Sequence, residues 1–208
     1  MKSSAKAAVV YAVMTYAFLS AANAAVINVF SNDAAGFAAA AGSVQTENFN
    51  DATLLPGLTV TTNFGSVTGG VWFDRMSASQ TTTWFFGSPT IAFGGNWDLS
   101  PGDPGTGIAF TVTFLNNTTQ LVAVEVPNTL TGEFFGFVSD TPFKSVLETV
   151  GTQSCSICAE THNLDNLTFS ASATPAPVPL PAALPLFATG LGVLGLLGWR
   201  RRRKALGD

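Results

Sequence analysis

The chain has 208 residues, of which 47% are hydrophobic and 11% charged, with a formal net charge of −4 at pH 7. That length holds one domain with a core of its own and not two large ones, and so apolar a composition excludes a long disordered protein. Charge is unevenly placed: from Ala25 to Ser172 there are two cations, Arg75 and Lys144, against twelve carboxylates, a net −10, while the other cations stand at the two ends. An acidic body repels phosphate backbones, which argues against nucleic acid as a partner and in favour of soluble cations.

Residues 1–24 open with Lys2 and Lys6, run through apolar residues from Ala7 to Leu19, and close on Ala22-Asn23-Ala24. This is the three-part layout of a secretory signal peptide. Small residues at Ala22 and Ala24 suit the two positions that signal peptidase reads, so cleavage is expected before Ala25. The apolar run is short for a membrane anchor.

The body, residues 25–172, begins with Ser31-Asn32-Asp33, which can cap a short helix running through Phe37 to Ala41 with Gly42 as its stop. Helical periodicity then disappears. Segments rich in Val, Thr, Phe and Trp follow at Val44–Phe49, Leu58–Phe64, Val71–Arg75, Thr82–Phe86, Thr90–Phe93, Ile108–Leu115, Leu121–Val126, Glu133–Val138, Ser145–Val150 and Leu164–Phe169. Ten short strands between turn clusters predict two packed antiparallel sheets, a mainly β, jelly-roll-like sandwich with one short N-terminal helix. Alternation agrees where it can be read: Ile108, Phe110, Val112 and Phe114 share one face, with Thr111 and Thr113 on the other. Fifteen of the seventeen Phe lie in the body, enough apolar area to seal the layer between two sheets.

Strand parity draws attention to two acids. Glu47 shares a face with Phe49, and Asp165 with Leu167 and Phe169. Buried carboxylates need partners, and a structural calcium ion held by Glu47, Asp165 and backbone carbonyls would supply one; acceptance of backbone N–H bonds at strand ends is the alternative. Cys155 and Cys158 are the two cysteines. In an exported chain they are expected to form a local disulfide, although with His162 they also offer three zinc ligands, to which Glu160 could add a fourth. No catalytic residues are assigned, since His162 is the sole histidine and no G-x-S-x-G, H-E-x-x-H or phosphate-loop motif occurs. Trp72, Trp84, Phe85, Phe86 and Trp97 could present flat faces to sugars, with Trp72 and Trp97 as the test positions; packing in the core is the other reading.

After the body, residues 173–183 turn to Pro and Ala, which favours an extended linker. An apolar stretch from Ala182 to Trp199 follows, its spanning part at 184–199, then a basic tail at 200–208 that begins Arg200, Arg201, Arg202, Arg203, Lys204. As a helix the stretch reaches roughly 27 Å, enough for a thin bilayer, and the cations would hold its end in the cytoplasm.

Val178-Pro179-Leu180-Pro181-Ala182, the Gly/Leu-rich span and the Arg cluster together resemble the PEP-CTERM sorting tail, in a V-P-L-P-A form in which Leu180 stands where Glu is usual. The resemblance implies processing by an exosortase, a membrane-embedded cysteine protease of transpeptidase type, and a setting in extracellular polysaccharide or biofilm matrix. The body is similar to ectodomains joined to such tails through Phe37 to Gly42, Glu47-Asn48-Phe49, Gly95-Asn96-Trp97-Asp98-Leu99, Gly105-Thr106-Gly107, Phe135 to Ser139 and Leu164 to Leu167. These have no common activity, so the similarity bears on architecture. The expectation is an exported protein with a non-catalytic sandwich. It would be cut by signal peptidase, held briefly in the inner membrane, then displayed or released at the surface. A polysaccharide-binding module and a permanently tail-anchored membrane protein are the alternatives.

Overall fold

The computed structural model describes residues 24–101, 105–154 and 158–170. The expected signal peptide up to Asn23, the linker and sorting box, the span, the basic tail and Cys155 lie outside the described residues. Among the described residues no helix is long and apolar enough to cross a membrane.

The body is mainly β, with every strand pairing antiparallel. In chain order the elements are β1 Ile27–Ser31, α1 Ala34–Ala41, β2 Val44–Glu47, β3 Leu58–Thr62, β4 Ser66–Thr68, β5 Val71–Ser77, β6 Thr82–Asp98, β7 Ile108–Phe114, β8 Thr119–Leu121, β9 Thr131–Val150 and β10 Ala159–Ser170. Hydrogen bonding links all ten strands along the path β4-β5-β10-β6-β9-β7-β8, with β1 added to β9, β2 to β10 and β3 to β6.

Two long strands turn this continuous sheet into a sandwich. Thr82–Thr83–Trp84–Phe85 of β6 pairs with Ser145–Glu148 of β9, and beyond an interruption Ala92–Asp98 pairs with Thr131–Val138. The register breaks between Phe85 and Thr90, at Gly87-Ser88-Pro89, and β9 carries Pro142 at the matching point. Proline donates no ladder bond and glycine packs no side chain, so the ladder is weakest where both strands change layer. One layer is then β3, the first part of β6, the second part of β9, β7 and β8. The other is β4, β5, β10, the rest of β6 and β9, and β1, with β2 beside the end of β10.

Aromatic rings fill the space between the layers. Phe110 on β7 meets Phe93, Trp97 and Phe137 at centroid distances of 5.6, 5.3 and 5.8 Å. Trp84 on β6 meets Trp72 on β5 edge to face at 5.0 Å. Such offset and T-shaped pairs add to the burial of their large apolar area. Two paired strands of one layer also approach closely: Gly94 of β6 stands opposite Gly136 of β9, and a Cβ on Gly136 would lie 2.8 Å from the Gly94 Cα and 2.9 Å from the Phe93 carbonyl oxygen, so only glycine fits opposite glycine there.

The helix forms as expected. The Asp33 carboxylate accepts the Gly36 N–H at 2.8 Å, and Gly42, at φ +73°, ends the helix by donating its N–H to Ala38 at 3.1 Å. Phe37 packs on Phe134 and Phe30, which with Ala41, Ala92 and Val138 make a second, smaller core. The ten expected strands differ from the observed ones in an instructive way. Thr82–Phe86 and Thr90–Phe93 are parts of one bent strand, as are Glu133–Val138 and Ser145–Val150, because Gly and Pro here mark elbows and not ends. Leu121–Val126 is mostly loop, with β8 closing at Leu121 and Val126 joined to Ile108 by an isolated bridge.

Candidate functional site

The period-two rule puts Trp72, Asp74 and Met76 on one face of β5, and all three are buried. Asp74 stands directly opposite His162 on the neighbouring strand β10. Glu148, on β9 in the facing layer, turns inward with Val146. The three side chains are sealed from solvent: Asp74 is 1% exposed, Glu148 and His162 0%. Each offers one ligand-type atom, and the three atoms lie within 4.8 Å of one another. The cluster spans the sandwich from layer to layer.

Its hydrogen bonds are lopsided. Asp74 is well supplied: its Oδ1 accepts the Arg75 N–H at 2.7 Å, and its Oδ2 accepts the Thr62 hydroxyl at 3.2 Å and the buried Thr82 hydroxyl. Trp84 Nε1 donates to Glu148 Oε1 at 2.6 Å. Glu148 Oε2 lies 3.8 Å from His162 Nε2, too far for a hydrogen bond. That oxygen and both imidazole nitrogens have no hydrogen-bond partner. Burial sets the protonation: it pushes the Glu148 carboxyl well above its usual range, against the Trp84 hydrogen bond, and pushes the His162 imidazole down to about 4. His162 is therefore neutral at neutral pH. Its ring lies 5.6 Å from Trp97, inside the aromatic core.

The expected calcium pair is not assembled in the way parity suggests. Glu47 is buried, and its Oε1 and Oε2 accept the N–H groups of Phe49 and Leu55 at 2.8 and 2.7 Å. It is a strand-end acceptor that closes the loop after β2. Asp165 is half-buried and accepts the Asn166 N–H at 2.7 Å. A bulge explains the difference: the β10–β6 register shifts between Asp165 and Thr168, and Asn166 has φ +50°. The extra residue brings both Leu164 and Leu167 inward, so Asp165 does not share their face. Among the described residues, no group of three metal-capable side chains contains either acid.

The aromatic platform is also corrected. Trp72 is 4% exposed and Trp97 0%; Trp84 and Phe86 are buried too. Large rings in a sandwich of this size are taken by the inter-sheet layer, and of the five only Phe85, at 42%, reaches solvent. Trp97 further donates its Nε1 hydrogen to the Phe135 carbonyl at 3.0 Å. No described cysteine is free; the pairing of Cys158 with Cys155 concerns a residue outside the described ones.

On the outer face of β5, β10 and β6 lies an open groove of about 310 Å³ of mixed character, lined by Val71, Asn96, Asp98, Gly132, Asn163, Asp165 and Asn166. The Asn96 side chain donates to the Gly132 carbonyl at 3.1 Å. Carboxylates and carboxamides supply both acceptors and donors in one concave surface.

Asp74 and Glu148 escape the reading of the sequence, although the parity argument applied to Glu47 applies equally to them: Asp74 falls between Trp72 and Met76, and Glu148 follows Val146 by two. What that argument lacks is the pairing of β5 with β10, which joins residues 88 positions apart.

No protein-family model matches the chain, and no curated protein matches it. Among solved structures it is similar to a family 29 carbohydrate-binding module, at 13% identity over 66% of this chain and 94% of that one, with a TM-score of 0.44. It is also similar to the family 32 module of C. perfringens NanJ, solved in complex with galactose, at 12% identity over 58% of this chain and 98% of that one, with a TM-score of 0.37. A module from a family 31 glycoside hydrolase of Clostridium perfringens matches at 6% identity over 53% of this chain and 94% of that one, with a TM-score of 0.37. Likeness of this grade transfers no ligand.

Proposed function

We propose that the chain is an exported surface or extracellular-matrix protein, whose non-catalytic sandwich is released from a signal peptide at Ala25 and from a PEP-CTERM-type tail by an exosortase. The observation that carries this reading is the order of parts in one sequence: Lys2 to Ala24, an acidic body, Val178 to Ala182, an apolar span and Arg200 to Arg203. The body supports it at its start. Ala25 is held through both its backbone groups by one side chain: its N–H donates to Gln120 Oε1 at 3.0 Å and its carbonyl accepts from Gln120 Nε2 at 2.9 Å. Val26 N–H donates to Asp140 at 3.0 Å. A chain cut before Ala25 keeps all of these anchors. The Cys155–Cys158 disulfide belongs to the same reading, since an oxidising compartment would form it.

The test is fractionation of producing cells with and without an active exosortase. The expected result is that the protein leaves the cytoplasmic membrane fraction only when the enzyme is present. Equal release in both strains contradicts processing and favours another route or a different anchor.

A second reading, polysaccharide contact by the body, is favoured by the groove of Asn96, Asp98, Asn163 and Asp165. Sugar hydroxyls both donate and accept, and this surface does the same. Retention on extracellular polysaccharide is expected to fall in Asp98→Ala and Asn163→Ala variants that keep the parent's unfolding temperature. Retention equal to the parent's in both variants removes the groove from consideration.

A further inference from the structure

We propose that Asp74, Glu148 and His162 form a structural site for one divalent transition-metal ion of the zinc class, which staples the two layers of the sandwich together. The geometry makes the case independently of where the protein goes. Three donor-type side chains from β5, β9 and β10 converge in the core with their ligand atoms within 4.8 Å of one another. Glu148 Oε2 and His162 Nε2, 3.8 Å apart, have no other partner. An ion at about 2.1 Å from both of these atoms spans their separation at an angle of about 130°, opened from the tetrahedral value, since metal–nitrogen and metal–carboxylate distances are about 2.0–2.2 Å.

The orphaned atoms point to a ligand on their own. A buried polar atom without a partner costs about 1–3 kcal/mol, and buried polar groups are satisfied almost everywhere in native proteins. Here the Glu148 oxygen and two imidazole nitrogens are left over in one place, in a layer otherwise filled by Trp72, Trp84 and Trp97. A single cation satisfies the Glu148 oxygen and one imidazole nitrogen together. The groups behind the ligands already hold them: Thr62 and Thr82 donate to Asp74, and Trp84 fixes Glu148 so that Oε2 faces the imidazole. Orientation by outer hydrogen bonds of this kind is characteristic of metal sites.

The donor set selects the ion. Calcium takes six to eight oxygen ligands, which two carboxylates in an aromatic core do not supply. One imidazole with carboxylates suits zinc and its neighbours. Complete burial makes the site structural, because no substrate reaches it.

The experiment uses the full chain, purified in mild detergent, stripped with a chelator and titrated with zinc chloride. After desalting, metal analysis is expected to find one zinc per chain, and the unfolding temperature is expected to rise on loading. Glu148→Gln and His162→Gln should each weaken retention by at least about tenfold. Where a variant fails to fold, cobalt(II) loaded into the unmodified chain decides. Visible d–d bands without thiolate charge transfer support the site, and strong near-ultraviolet thiolate bands place the metal on cysteine and overturn it. Substoichiometric zinc in the unmodified chain, or equal retention in folded variants, also overturns it.

Discussion

Trp97→Ala is expected to destabilise the body by about 3–5 kcal/mol, the range for deleting a fully buried aromatic side chain. The indole is 0% exposed and packs on Phe93, Phe110 and His162, so the substitution opens a cavity where both layers meet. It also removes a hydrogen-bond donor to the Phe135 carbonyl. Equilibrium urea unfolding measures the loss. The same variant separates core from binding platform: below its unfolding midpoint, its retention on polysaccharide should equal the parent's. A loss of retention with little loss of stability would mean that this ring faces a ligand, against its burial.

The second large effect is a pH dependence set by Glu160. Its carboxyl lies buried beneath the loop of Gly105 to Gly107, with Oε2 accepting the Gly107 N–H at 2.7 Å and Oε1 unpartnered. Burial raises its pKa from 4.5 to about 7, with the backbone hydrogen bonds pulling the other way. A carboxyl raised in the folded state holds its proton longer there than in the unfolded chain. Its stabilising contribution is therefore complete below about pH 4.5 and is lost as the pH climbs through about 7. Each tenfold difference in proton affinity between the folded and unfolded chain is worth about 1.4 kcal/mol. With a discount for solvent screening near the loop, the loss is about 2 kcal/mol. Unfolding followed at pH 5 and pH 8 should show it as the difference between the parent and Glu160→Gln, because the buried Glu148 and His162 titrate in both and cancel in the comparison. The same change in stability between pH 5 and pH 8 in parent and Glu160→Gln would contradict the burial of a protonated acid.

These expectations rest on parts of the molecule that are unequally legible in the sequence. Alternation in Ile108 to Phe114 and the capping run at Asp33 are local, and local chemistry decides them, so β7 and α1 stand where they are expected. Gly87-Ser88-Pro89 reads as a break because turn residues look alike whether a strand ends or bends; only the continued pairing with β9 tells the two apart. Asp165 is misplaced by parity for a related reason, since a one-residue bulge at Asn166 reverses the alternation and nothing in the local sequence requires it. For Trp72, Trp84 and Trp97 the sequence leaves a sugar platform and core packing both open, and the inter-sheet layer decides for the core. The buried acids carry the opposite lesson: Asp74 and Glu148 each sit in an apolar alternation, yet their meeting with His162 depends on strand order, which is non-local.

The central claim is that this acidic sandwich is delivered and trimmed at both ends, and intact-mass spectrometry of the protein recovered from the surface or medium of its producer tests it most directly. The account predicts a species that begins at Ala25 and lacks Arg200 to Arg203. A species that retains Met1 and runs through Asp208, recovered from the cytosol, would contradict it.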